Sequence, residues 1–151
     1  MGNIEWRNVE YKPNKTEIEN VENYFDVKFP ADYIECVLEN NGGYPSHRIF
    51  FANGREEGIN SFLCVVDGEY GIIKTAQCIS DRLESGIIPF AGDCGGNYVC
   101  FDYRDNASSP NIVFWEHEKA FLGKNDAVVK ISDSFTQFMD SLQVFEDDED
   151  E

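Results

Sequence analysis

The side chains in this sequence whose types could do chemistry are two histidines, His47 and His117, and a scatter of acids, Asp93, Asp102, Asp105, Glu116 and Glu118. Converging carboxylates with an imidazole would hold a divalent metal or move a proton in a hydrolysis. That chemistry demands defined spacing, and neither histidine belongs to an HExxH pattern or to a paired-carboxylate motif. Cys94 and Cys100 stand six positions apart without an adjacent cysteine pair, so neither a zinc knuckle nor a CxxC redox centre is indicated. A Cys36–His117 nucleophile and base would require a proximity that sequence alone does not supply. The reading is therefore a protein with no catalytic residue, no metal and no cofactor.

Residue types suited to binding are better represented. Gly92, Gly95 and Gly96 surround Asp93 between two strand-like runs, where a structural turn is the plainer reading and a ligand-facing edge the sharper one. Asp102 either lines that edge or bonds the backbone of the turn after it. Trp115 either packs inward or, flanked by Glu116 and Glu118, forms an aromatic anchor rimmed by charge. In the run Phe50 to Gly58, strand alternation cannot place Phe50 and Phe51 on one face, and Glu56 and Glu57 are expected at the following turn, open to basic side chains. The candidate binding set is Phe51, Glu56, Glu57, Asp93, Tyr98, Asp102, Tyr103, Asp105, Trp115, Glu116 and Glu118. Gly42, Gly43, Gly92, Gly95 and Gly96 are structural turn residues.

Charge narrows the partner. Twelve basic against 29 acidic side chains leave a net charge of −17, which repels nucleic acid and anionic membranes and attracts a basic protein. Six successive acids, Glu146 to Glu151, form a tail expected to stay unpacked; without them 23 acids still face 12 bases, a net −11. The five cysteines are odd in number and scattered, mostly beside apolar residues, which predicts buried free thiols in a reducing compartment. The first residues lack the basic and apolar regions of a signal peptide, no apolar run reaches the roughly 20 residues of a membrane span, and Trp6 spoils a myristoylation reading of Gly2. A cytoplasmic location is expected.

The elements that must position these residues follow from periodicity. A first helix starts near Asn14, with Thr16 and Glu19 at capping-box spacing and Ile18, Val21 and Phe25 on one face. A second begins at Pro30, carries Tyr33, Ile34, Val37 and Leu38, and stops at Asn40-Asn41-Gly42-Gly43. Strands are expected at 48–52, 59–66, 87–90, 97–103, 111–116 and 128–131, with a turn at Asp67-Gly68 and then a segment, 72–83, whose periodicity does not separate strand from helix and which is read as a helix around 73–83. A last helix opens near Ser132 or Asp133, with Phe135, Phe138, Met139, Leu142 and Phe145 on its apolar stripe. This order gives a single α+β domain, 1–145, with a mostly antiparallel or mixed sheet covered by helices, followed by the acidic tail 146–151. The glycine pair Gly95-Gly96 precedes a strand and opens no helix, which disfavours a βαβ nucleotide fold.

Four segments together resemble the SMI1/KNR4 (SUKH) family. Phe29-Pro30-Ala31-Asp32-Tyr33 with Asn41-Gly42-Gly43 resembles its LP-x-x-Y helix start and NGG turn, and Ile88 to Asp102 is similar to its central block. Asn111 to Glu118 is similar to the strand after it, and Ser134-Phe135 with Phe138 and Leu142 to the terminal SF-x-x-F-x-x-x-L helix. Phe29 stands where leucine is usual and Cys94 where glycine or another small residue is common. The resemblance implies an SMI1/KNR4-like α+β fold and an immunity protein that binds and neutralises a cognate polymorphic toxin, a basic nuclease being one candidate. The alternative it leaves is a non-catalytic regulatory module that binds a host protein.

Overall fold

The computed structural model describes residues 3–144 apart from Asp67, Glu69 and Tyr70. The tail Glu146 to Glu151, Phe145 at the end of the predicted apolar stripe, Gly2, and the Asp67 half of the Asp67-Gly68 turn lie outside the described residues.

Helix α1 (Lys15–Phe25) starts because the Asn14 side chain accepts from the Glu17 N–H at 2.8 Å while Glu17 accepts from the Asn14 N–H at 3.0 Å. The capping box is thus Asn14 and Glu17, two residues earlier than the Thr16–Glu19 pair: an amide at the cap satisfies the same orphan donors. At its end, buried Glu22 accepts from the Phe29 N–H at 2.6 Å and locks the approach to α2 (Ala31–Asn40). Asn41, fully buried, then ties three segments together. Its Oδ1 accepts from the Val65 N–H at 2.7 Å and its Nδ2 donates to the Tyr11 carbonyl at 3.1 Å. Gly42 turns the chain at φ +68, and a Cβ on Gly43 would lie 2.9 Å from Trp6 Cε3, so the NGG segment is glycine for dihedral and contact respectively.

Two short pairings frame the main sheet. Strand β1 (Trp6–Arg7) meets β2 (Tyr44–Pro45), and β3 (His47–Ala52) lies between β4 (Arg55–Gly58) and β10 (Gln143–Val144). The principal sheet is five antiparallel strands in the order β5 (Ser61–Phe62), β6 (Ile87–Gly92), β7 (Tyr98–Asp102), β8 (Asn111–Trp115) and β9 (Val128–Ser132). Alternation along its three central strands feeds two cores. Ile88, Phe90, Val99, Phe101, Ile112 and Phe114 face α1, α2 and α5 (Phe135–Ser141), where Tyr33 sits edge-on to Phe101 and Phe135. Ile87, Cys100, Val113 and Trp115 face the other way, under Ile79, Leu83 and Ala120.

Several predicted bounds move, each for a local reason. The helix expected at 73–83 is α3 (Ile72–Cys78), cut short where the Ser80 hydroxyl donates to the Gln77 carbonyl at 3.0 Å. Of 59–66 only Ser61–Phe62 joins the ladder, because beyond it the backbone turns to Asn41. The last helix ends at Ser141: Leu142 is extended, and Gln143–Val144 pair with β3. Glu56 and Glu57 sit on strand β4, not in a turn. The turn is Asn53-Gly54, with φ of +53 and +79, the two-residue type that matches strand twist. A five-residue helix, α4 (His117–Phe121), and a 3-10 turn, Asn125–Ala127, follow β8.

Candidate functional site

The β6–β7 turn is built around one carboxylate. Asp93 Oδ1 accepts from the N–H groups of Gly95 and Asn97 at 2.8 and 2.9 Å, and its Oδ2 accepts from Asn97 Nδ2 at 2.9 Å. Asn97 Oδ1 in turn accepts from the His117 N–H at 2.9 Å, so this turn anchors the start of α4. Gly96 passes over the His117 ring at φ +89. Gly92 and Gly95 have no positive φ.

Three of the candidate acids act on one another here. Glu57 of β4 is raised from its ordinary value first by burial, which the nearby Arg55 opposes, and further by the charges of Glu116 and Asp93. Lys119 on α4 reaches Asp126 at 2.9 Å and Glu116 at 3.6 Å. One end of the sheet therefore gathers β4, the β6–β7 turn and α4 into an acid-bearing surface, with Glu118 exposed alongside. Phe51 and Glu56, cross-strand partners, are exposed on the outer side of the hairpin, while Phe50 is in the core.

The remaining candidates do not join this surface. Asp102 lies at the opposite end of β7, about 14 Å along the strand from Tyr98 at roughly 3.4 Å per residue. It is buried, and Arg104 binds it through Nε at 2.9 Å and Nη2 at 2.9 Å while also pairing with Glu84. Burial alone would raise the Asp102 carboxyl, but the side-chain and backbone hydrogen bonds and the charge of Arg104 outweigh it and hold the group below its ordinary range. Tyr103 is buried with its hydroxyl donating to the Lys28 carbonyl at 2.8 Å, and Asp105 is exposed in the same distant loop. Trp115, at 1% exposure, packs inward beside Tyr98, their rings 6.0 Å apart, so it is a core residue and no exposed anchor. Tyr98 is half-buried at the edge of the acidic end.

The hydrolase pairings dissolve in the same geometry. Asp102 and His117 are at different ends of the sheet, and Cys36 on α2 lies against the opposite sheet face from α4. Burial pushes the Cys36 thiol up to about 11, which keeps it protonated. Among the described residues no three His, Cys, Asp or Glu side chains converge as metal ligands would, and no helix is long and apolar enough to cross a membrane. The thiols are all free, yet only Cys36 and Cys100 are buried; Cys64 is half-buried, and Cys78 and Cys94 are exposed at helix end and turn.

Sequence patterning missed the most exposed apolar pair, Phe121 at 77% and Leu122 at 66%, on the tip of α4. A signal was present: Lys119 and then Gly123, whose N–H donates to the Ala120 carbonyl at 3.1 Å, mark a helix end after an acidic start at Glu118.

These features describe an α+β domain whose distinctive surface is one acidic end of its sheet. The family model described as SMI1-KNR4 cell-wall (SUKH_6) matches residues 15–139, and the chain belongs to this family, which is generally a non-catalytic immunity domain. The SPbeta prophage-derived uncharacterized protein YokK of Bacillus subtilis (strain 168) is 35% identical over 85 residues, 52% of this chain and 41% of that protein. The chain thus spans about two fifths of the length of this curated relative.

Proposed function

We propose that this protein is an immunity protein: it binds a cognate polymorphic toxin in the cytoplasm and blocks it by occlusion, without catalysing a reaction. Membership of a family of mostly immunity domains carries this reading, and the net charge of −17 gives it a physical form. Acids at the end of the sheet would pair with a basic toxin surface, speed encounter, and keep an anionic substrate such as nucleic acid away. In this reading Glu56, Glu57, Asp93, Glu116 and Glu118 face the toxin, Phe51 and Tyr98 border them, and residues 1–145 act as the binding domain with 146–151 as an acidic tail. Asp102, Tyr103 and Trp115 serve the scaffold that holds the surface.

Co-expression with the toxin encoded beside this gene tests the reading. Survival of cells that the toxin otherwise kills, with recovery of both chains in a pull-down, is the expected result. Killing at an undiminished rate by every neighbouring toxin overturns it. The family description also carries a cell-wall association, which favours a regulatory module as the second reading; that module would hold an endogenous partner in cells that carry no toxin.

A further inference from the structure

Helix α4 ends in a feature that a five-residue surface helix does not need. Phe121 and Leu122 are adjacent, both largely exposed, and with Arg82, His117 and Glu118 they line a groove of about 470 Å³ over the second sheet face. Single exposed apolar residues are ordinary, but a neighbouring pair beside a groove, rimmed by charge, has the anatomy of an interface centre.

Charge selects the occupant. Arg82 is bound by Asp81 at 2.8 Å, Lys119 is held by Asp126 and Glu116, and Lys124 bears on the same Asp126, so each cation around the groove already faces an acid of this chain. Glu118, exposed on the groove wall, has no ion-pair partner among the described residues. The acidic surface of Glu57, Asp93 and Glu116 continues from the first turn of α4. A second copy seated here through a two-fold interface would bring Glu118 and its acidic surroundings against themselves, with −17 on each chain.

We infer that the Phe121–Leu122 tip of α4 is the apolar anchor of a docking surface for a basic protein, one that presents an apolar pocket bordered by lysine or arginine. This assignment rests on the immunity reading, which supplies the toxin as that basic protein. The acids steer the encounter, and the two apolar side chains set how long the complex lasts.

The test uses the full chain and, as probe, a toxin domain encoded beside its gene from which the chain protects cells, carried as a catalytically inactive variant. Binding kinetics are measured for the parent, for the double variant Phe121→Ser with Leu122→Ser, and for Glu118→Lys, alongside circular dichroism and sedimentation. The expected double-variant result is an unchanged melting curve and a Kd raised at least about 30-fold, roughly 2 kcal/mol, mostly through faster dissociation. Glu118→Lys should slow association, with the deficit shrinking at high salt. Parent-like binding by the double variant overturns the assignment alone. So does loss of thermal stability, which would make the pair packing residues. A parent dimer that the double variant dissolves overturns it in favour of a second copy. Absence of binding by the parent overturns the immunity reading and the assignment together.

Discussion

Replacing Gly96 with valine isolates the backbone demand of the central turn. Gly96 sits at φ +89, beyond the small left-handed region that side-chain-bearing residues occupy, while its neighbour Gly95 has no positive φ. A single Cβ meets no obstacle at either site: on Gly96 it would lie 3.4 Å from His117 Cδ2, ordinary contact, and on Gly95 3.6 Å from Asp93 Oδ1. The cost is therefore conformational, about 1–3 kcal/mol. At this chain length about 3 °C accompanies each kcal/mol, so the melting temperature should fall by about 3–9 °C. Gly95→Ala should leave it nearly unchanged, and Gly96→Asn should fall between, because asparagine visits positive φ more readily than valine. Urea and thermal unfolding followed by circular dichroism read all three. Equal stability of Gly96→Val and the parent, or equal losses for Gly96→Val and Gly95→Ala, would show that the positive φ of Gly96 carries no cost of its own.

Other substitutions probe the charges and the core. Asp102 has a lowered folded value, so its contribution is complete above the unfolded Asp range near 3.9 and is lost as pH falls through the folded value; Asp102→Asn should therefore destabilise at pH 6, with the gap to the parent closing toward pH 3 in melting curves. Glu57 has the opposite sign: its raised folded value favours the folded state only below the unfolded range near 4.3, and ionisation at neutral pH opposes folding. Glu57→Gln should melt no lower than the parent at pH 7, and lose any advantage at pH 4; a lower melting point at pH 7 would show Glu57 held by an attractive partner. Phe135, at 1% exposure among Tyr33, Phe90 and Phe101, should cost about 3–5 kcal/mol in urea unfolding on change to alanine, and a negligible loss would misplace the face of α5.

The parts legible in the sequence are those whose signals are local. Helices α1 and α2 and the central strands follow from periodicity, and the Asn41-Gly42-Gly43 stop is where a chain reversal demands it. What was not legible depends on distant partners. Gln143–Val144 leave the helix to pair with β3, and β1 and β2 are two-residue strands that exist only because they meet. Asn41 reads as a turn residue, yet its buried amide fixes Val65 and Tyr11, contacts no spacing announces. The candidate acids divide for the same reason. Asp93 and Glu116 are near each other only because β6 to β8 run antiparallel, and that same pairing carries Asp102 to the far end. Trp115 occupies an alternation phase shared with Val113, which the second core fills; single-face burial would have left it exposed.

Stoichiometric occlusion of a basic toxin can be followed by titrating a candidate toxin encoded beside this gene with the purified protein while monitoring that candidate's own reaction. Activity should fall linearly to near zero at one equivalent in low salt, and raising the salt should slow the onset of inhibition more than it hastens recovery. Full activity of every such candidate in the presence of excess protein would mean that the protein occludes none of them.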